Sequence, residues 1–432
     1  MTGNTTAGNA TAGDTAAGNT TAGNATAGNT TAGNTTVVVI GGGYAGVMAA
    51  NRLAGREGVA VTLVNPRAAF VNRIRLHQFV GGTHDGVEEY GKVLAAGVAL
   101  VVDTVAEIDV AGRRVELTSG DAVPYDYLVY AVGSGSAEAR VPGAAEFAYP
   151  LGGWEEAERL REAVAAAPVA APVTVVGGGA TGIETAAELA EVGRKVTLVC
   201  GDTLGPSLHP RGRRAVAKRL ARLGVTVVEG PGAKVAEVTR DAVRLGDGRE
   251  VASAVTIWTA GFSVPDLAAR SGLSTDSLGR LLTDETLTSV DDARVVAAGD
   301  AAAPSDLPYR MSCQAAVQLG PQAAETVLSR IAGERPADVE VGFVAQCLSL
   351  GRRAGVFQLT DRGDTAKKTY VGGRAGALIK ELICKGIPWQ LGQEARKPGA
   401  RQWWTKDAER EQLVATAGAR GGEARAIAEQ AA

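Results

Sequence analysis

Apolar positions begin abruptly along this chain. Residues Met1 to about Thr36 repeat a five-residue unit of Asn, Thr, Ala and Gly, read as NTTAG, NATAG and DTAAG, with no apolar period and almost no charge. A segment with so little to bury cannot offset chain entropy, so residues 1–36 are expected to form a disordered tail. The run VVVI from Val37 then reads as a buried parallel strand, followed by glycines, a helical stretch from Tyr44 to Leu53 and a strand from Val59 to Val64. A strand-rich stretch from Val98 to Val132 follows, with turns at Ala111-Gly112 and Ser119-Gly120, and then a Pro/Ala-rich linker near Pro168 to Pro172. From Val173 the pattern restarts: strand VTVV, glycines, helix Thr181 to Val192, strand Val196 to Val199, a basic helix near Arg211 to Leu223, and strand Val225 to Val228. Two similar βαβ units predict an α/β fold.

Each unit carries glycines where its first strand meets its helix. Gly41, Gly43 and Gly46 in VVVIGGGYAG, and Gly177, Gly179 and Gly182 in VTVVGGGATG, fill the three positions of G-x-G-x-x-G. The first allows a tight turn, the second lets a pyrophosphate approach the backbone, and the third lets helix and strand pack closely. The diphosphate then meets the free N–H groups and positive dipole end of the helix, beside Tyr44 and Ala45 in one unit and Thr181 in the other. Two Rossmann-type folds and two dinucleotides are expected. The residue ending each second strand, where a carboxylate normally binds the ribose, is Asn65 in the first unit and Cys200 in the second. Asn65 can still bond a hydroxyl, whereas Cys200 is a poor acceptor. With Asp202 nearby and no arginine following at once for a 2′-phosphate, NADH is expected ahead of NADPH as the nicotinamide cofactor.

Composition narrows the partners. The 432 residues carry a formal net charge of -3, which gives no electrostatic footprint for nucleic acid. Four cysteines, Cys200, Cys313, Cys347 and Cys384, form no C-x-x-C pair, and the three histidines are scattered, so no metal site is expected. No apolar run is long enough to span a bilayer, and the N-terminus lacks the apolar core of a signal peptide; a cytoplasmic protein is expected.

Further motifs complete the pattern. YDYLVYAVGS delivers Gly133, TIWTAGF delivers Gly261, and VVAAGDAA delivers Gly299 and Asp300, each at the end of an apolar strand. With the two fingerprints, these make the chain resemble the two-dinucleotide disulfide-reductase superfamily over roughly Val37 to Ala332. The resemblance implies that FAD occupies the first fingerprint, NAD(P)H the second, and that Asp300 holds the ribityl chain of the flavin. It implies a FAD domain at 37–146 and 272–333, split around a nicotinamide domain at 147–271. A cysteine pair beside the flavin, which disulfide reductases need, is missing between Gly41 and Gly91. Within the superfamily the chain is similar to type II NADH dehydrogenases and to apoptosis-inducing-factor-like flavoproteins, on Tyr44, on the GATGIETAAEL helix with Glu184, and on SCQAAVQLG. The resemblance gives Glu184 a nicotinamide-side or proton-handling role and places Gln314 and Gln318 beside the flavin, where they line the acceptor site. Their i, i+4 spacing puts both amides on one helix face, and Glu184, read as first-turn, favours the helix dipole. Cys313 in place of the usual alanine and the polar stretch VNRIRLHQ, Val71 to Gln78, depart from the type II pattern.

The expected activity is transfer of hydride from nicotinamide to flavin and of electrons to an external small-molecule acceptor, a quinone. A ferredoxin- or rubredoxin-type reductase and a redox-sensing flavoprotein are the alternatives. Residues 334–412 read as an α+β region whose Leu378, Ile379, Leu382 and Ile383 make one apolar helix face, with Lys380, Glu381 and Lys385 elsewhere. That face suits core packing or a homodimer; with Trp389, Trp403 and Trp404 and their basic neighbours it would instead suit peripheral contact at the inner membrane face. Residues 413–432 read as a flexible tail.

Overall fold

The computed structural model describes Met1, residues 34–400, Asp407 and residues 409–417. The repeat region, apart from its last residues, lies outside the described residues, as do Trp403 and Trp404. Regular structure starts at Thr35 rather than Val37: Thr35 and Thr36 pair with Val59 and Ala60, and Asp126 accepts from both the N–H and the hydroxyl of Thr36 at 2.8 and 2.9 Å. At the other end, residues 410–417 are helical, so the flexible segment expected from 413 does not begin there.

Two parallel five-stranded sheets carry the fold. The first runs Val295–Ala297, Tyr127–Tyr130, Thr35–Ile40, Val59–Asn65, Val98–Val102. The second repeats that order with Ala148–Pro150, Val255–Trp258, Pro172–Val176, Lys195–Gly201 and Thr226–Glu229. In both, the fingerprint strand is central, and the chain crosses first to one side of it and later to the other. A crevice for a ligand opens at such a switch point, beyond the carboxyl ends of the strands. Each sheet also has a three-stranded antiparallel meander at the same place in the repeat, Val105–Pro124 and Val235–Ala252. The fingerprint strand is apolar from Val37 on because both its faces are covered: Val37 and Val39 pack among the helices, and Val38 and Ile40 against Val105, Ile108, Val115 and Leu117 of the meander.

The short pair Gly135–Ser136 with Phe262–Ser263 ties the exits of the two modules together. A third sheet, Ala345–Ser349, Gly355–Thr360 and Ala366–Gly372, leads into the helix Gly373–Arg396. That helix does not bury the expected apolar face. Gly376, Lys380, Cys384, Ile387 and Leu391 point inward, while Leu378 and Leu382 are about 60% exposed. The stripe is displaced because the Lys380 ammonium has an anionic partner in the interior.

The first fingerprint helix, Tyr44–Ala54, is buried nearly all round and lies against the helix Cys313–Ile331. Backbones meet there: a Cβ on Gly320 would overlap the Ala45 carbonyl. Gly320→Ala is therefore expected to destabilise by about 1–3 kcal/mol through overpacking. Gly386→Ala, whose Cβ would meet nothing within 4 Å, is expected to stabilise the helix Gly373–Arg396 by about 0.5–1 kcal/mol. Thermal denaturation of the two variants checks both signs.

Candidate functional site

The two fingerprints fold alike at their three glycines. Gly41 has φ +101° and Gly177 φ +127°, and a side chain on either would strike the adjoining strand end, at Ala131 or Thr259. Gly46 and Gly182 sit under the carbonyls of Gly41 and Gly177, where a Cβ would overlap oxygen. Gly43 and Gly179 differ: a Cβ on either meets no atom within 4 Å. These middle glycines cap helices Tyr44–Ala54 and Ala180–Glu191, neither of which has a side-chain cap or an acidic residue in its first turn. Unsatisfied N–H groups thus face open space at a positive dipole end, the donor set that a pyrophosphate needs. Both cradles fit a dinucleotide.

Around the cradles the other candidates divide. Ala45 is buried and packs against Gly299 and Gly320, a close-packing role. Thr181 opens its helix, its carbonyl accepting from the Thr185 hydroxyl at 2.7 Å. Asn65 is turned inward: its Oδ1 accepts from the Gly42 N–H at 2.9 Å and its Nδ2 donates to the Arg67 carbonyl. Cys200 stands at the same place in the second module, where its Cβ would meet one on Gly178. Burial, with Glu229 adding to it, pushes the Cys200 thiol up to about 12, so it stays protonated. Asp202 is exposed and pairs with Lys234 at 3.3 Å.

At the first switch point Asp300 accepts from the Ser134 hydroxyl at 2.7 Å and from the Ser312 N–H at 3.0 Å. Arg73 reaches the same spot, 3.8 Å from Asp300 and 3.2 Å from Ser134 Oγ. Gly299 and Gly133 adopt positive φ and turn the chain out of its strands there, as Gly261 does after Val255–Trp258 in the second module. The Tyr44 hydroxyl donates to Asn72 Oδ1 at 2.7 Å.

Glu184 lies in the second turn of its helix, not the first, and the dipole is not what balances its charge. The buried carboxylate meets Lys380 Nζ at 2.9 Å and accepts from the Ser349 N–H at 2.8 Å. Burial alone would raise its pKa; the Lys380 ammonium outweighs that, helped by His77 and Ser349, and holds it below the usual carboxylate range. Lys380 is correspondingly held up by Glu184 against its own desolvation. Lys380 also donates to the Cys347 carbonyl at 3.3 Å. His77 stands 3.8 Å from Glu184, with Nε2 3.0 Å from Ser349 Oγ. Burial lowers its pKa to about 4, so at neutral pH it is uncharged and no ion pair. Beside it Arg75 forks onto Glu381 with two 3.0 Å bonds, and Arg352 joins at 2.9 Å. The Arg75 bonds lead in drawing the Glu381 carboxyl down to about 2.

Gln314 and Gln318 do not present their amides as their spacing suggests. Gln318 is buried, its Nε2 donating to the carbonyls of Gln314 and Gly342 at 2.9 and 3.3 Å. Gln314, oriented to satisfy both neighbours, donates to the Ala345 carbonyl at 3.1 Å and accepts from the Val344 N–H at 2.9 Å. The shared face is real, but it clamps the segment entering the third sheet.

A model of the pyridine nucleotide-disulphide oxidoreductases matches residues 35–320. The chain belongs to that family. An NADH dehydrogenase-like protein of Mycobacterium tuberculosis is 32% identical over 372 residues, covering 77% of this chain and 91% of the relative. The type II NADH:quinone oxidoreductase of the same organism is 29% identical, covering 70% and 74%. The solved structure of NDH2 from Plasmodium falciparum in complex with NADH superposes with a TM-score of 0.69 at 14% identity, covering 85% and 99%. This pyridine nucleotide-disulphide oxidoreductase is thus an NAD(P)H-dependent flavoprotein by family, and its two cradles suit the two nucleotides.

What sequence reading missed in this oxidoreductase is the set contributed by VNRIRLHQ, the strand Ala345–Ser349 and the C-terminal helix: Arg73, Arg75, His77, Ser349 and Lys380. The available signal was the polar run itself, too charged for an ordinary core segment, and a lysine on an otherwise apolar stretch.

Two outcomes follow from the buried charges. Lys380→Met should cost about 3–5 kcal/mol by stranding Glu184, and Glu184→Gln combined with Lys380→Met should recover most of it; chemical denaturation of the three variants measures this. His77 binds its proton in the unfolded chain near 6.5 but in the fold only near 4. Between those values the unfolded state holds more protons, so stability falls on acidification through that window, by about 2 kcal/mol at about pH 5. Melting temperatures from about pH 7 to 4.5 should fall less steeply for His77→Gln than for the parent protein.

Proposed function

We propose that the chain is an NADH dehydrogenase that passes electrons through FAD to a quinone. The observation that carries this reading is the duplicated cradle: Gly43 and Gly179 each leave an uncapped helix end open, in modules joined at their strand exits. FAD in the first cradle would accept a hydride from nicotinamide and release electrons singly or in pairs, chemistry the protein does not itself provide. The chain's residues then position and polarise. Asp300, fixed by Ser134 and Ser312, is oriented to accept from a sugar hydroxyl of the flavin nucleotide, with Arg73 beside it. Cys200 offers no carboxylate to the nicotinamide nucleotide's ribose, and no arginine follows at once; NADH, as bound by the Plasmodium relative, is the expected donor.

The acceptor side rests on Glu184 and Lys380. The buried Lys380 ammonium, held by Glu184, would stabilise negative charge developing on an acceptor oxygen brought to it. The quinone assignment draws on the name of the type II relative and on this cation, which replaces Gln314 and Gln318 as the polar group for an oxygen acceptor. Among the described residues no helix is long and apolar enough to cross a membrane. The exposed Leu378, Leu382 and Trp389 stripe suits peripheral contact with the bilayer that would hold such a quinone.

Stopped-flow measurement of the two half-reactions tests the reading. Gly179→Val should keep the yellow flavin and lose its reduction by NADH; equal loss of both cofactors would overturn the assignment of the cradles. Asp300→Ala should lower FAD occupancy, by about 1.5–3 kcal/mol of binding. Glu184→Gln should leave FAD in place and slow reoxidation by a quinone. Flavin reoxidation in the parent protein no faster with quinone than with dioxygen would exclude quinone as acceptor.

A further inference from the structure

A groove of about 810 Å³, within the size range of small-ligand sites, lies between the basic helix Pro210–Arg222 and the third sheet. None of its lining residues belongs to either fingerprint, and the dehydrogenase reading does not use it. Arg211, Arg214, Lys218 and Arg222 recur every three or four residues, so they form one stripe, opposite the buried Gly212, Val216 and Leu220. All four line the groove and are exposed, and among the described residues none has an ion-pair partner. Like charges at this spacing repel along a helix. The neighbouring Arg219, by contrast, is spent on Glu191 at 2.7 Å and on the Leu350 carbonyl.

Two further features converge on the same groove. Gly372 and Gly373 line it at the start of the 24-residue helix Gly373–Arg396, which has neither a side-chain cap nor an acidic residue in its first turn. The helix start therefore adds a positive dipole end beside the basic stripe, with Gly373 itself bridged to Gly355. Tyr370 supplies a flat, half-buried ring to the lining. Arginine forks, a positive helix end and an aromatic face are the chemistry of a phosphate chain attached to a planar base. The chain as a whole carries a net charge of -3, so the positive field is local and does not favour an extended polyanion such as nucleic acid.

We propose that this groove binds a nucleoside polyphosphate, its phosphates on Arg214, Lys218 and the Gly373 end of the helix and its base against Tyr370. The site stands apart from the nicotinamide cradle, and the proposal does not depend on which acceptor the enzyme uses.

Calorimetric titration of the full-length FAD-loaded protein with ATP, the second cradle being saturated with NAD⁺, tests it. One ATP per chain is expected. Arg214→Ala combined with Lys218→Ala should weaken ATP at least about tenfold, the loss of two charge-assisted contacts, while NAD⁺ affinity and flavin content stay unchanged. Tyr370→Leu should weaken ATP but not inorganic pyrophosphate, separating base from phosphate recognition. The proposal is overturned if NAD⁺ excludes ATP, if the double variant binds ATP as the parent does, or if the stripe binds phosphatidylglycerol vesicles and not ATP.

Discussion

A carboxylate and an ammonium buried together between distant parts of the chain set the arrangement around them. Glu184 leaves the second fingerprint helix, and Lys380 comes from a helix almost two hundred residues later. Neither charge could stand alone in a site of low dielectric, since desolvating one ion costs several kcal/mol. Each therefore requires the other, and the third sheet is drawn in with them, because Ser349 donates to Glu184 and the Cys347 carbonyl accepts from Lys380. The pair adds little net stability compared with an apolar substitute of the same shape. What it provides is register: it selects which face of the helix Gly373–Arg396 turns inward.

That choice explains the outer stripe. With Gly376, Lys380 and Cys384 inside, Leu378 and Leu382 are left in solvent, although an apolar pattern alone would have buried them. The polar segment 71–78 is organised by the same demand. Arg75 meets Glu381 one residue beyond Lys380, His77 lies against Glu184 and Ser349, and Asn72 reaches the Cys384 carbonyl at 3.5 Å. Residues that look out of place in a core stretch are the first module's contribution to a charged junction.

Legibility in the sequence followed the range of the interactions. The βαβ units and their glycines were readable because strand periodicity, turn and helix start lie within a few residues of one another, and the steric limits at Gly41, Gly46, Gly177 and Gly182 allow no other residue. The strand Val295–Ala297 could be attached to the first sheet only through a resemblance, since nothing local says which sheet it joins. Lys380 could not be read as buried at all: its partner is remote, and a lone lysine is ordinarily solvated. The two ends of order, Thr35 and the helical residues 410–417, were misplaced because Asp126 and a C-terminal contact supply what low local apolarity does not. One such contact is Arg410, paired with Glu285 at 2.9 Å.

The glutamines show that correct local geometry does not by itself fix a side chain's partners. An i, i+4 pair does share a helix face, and Gln314 and Gln318 do so here. Which surface that face meets is decided by the neighbouring segment, and residues 342–345 bring unpaired backbone groups to it. A buried backbone N–H or carbonyl left unbonded costs as much as a lost hydrogen bond, so the amides are consumed in satisfying Gly342, Val344 and Ala345. They thereby hold the entry to the strand Ala345–Ser349, whose last residue binds Glu184. Replacing them would loosen the strand that positions the charged pair.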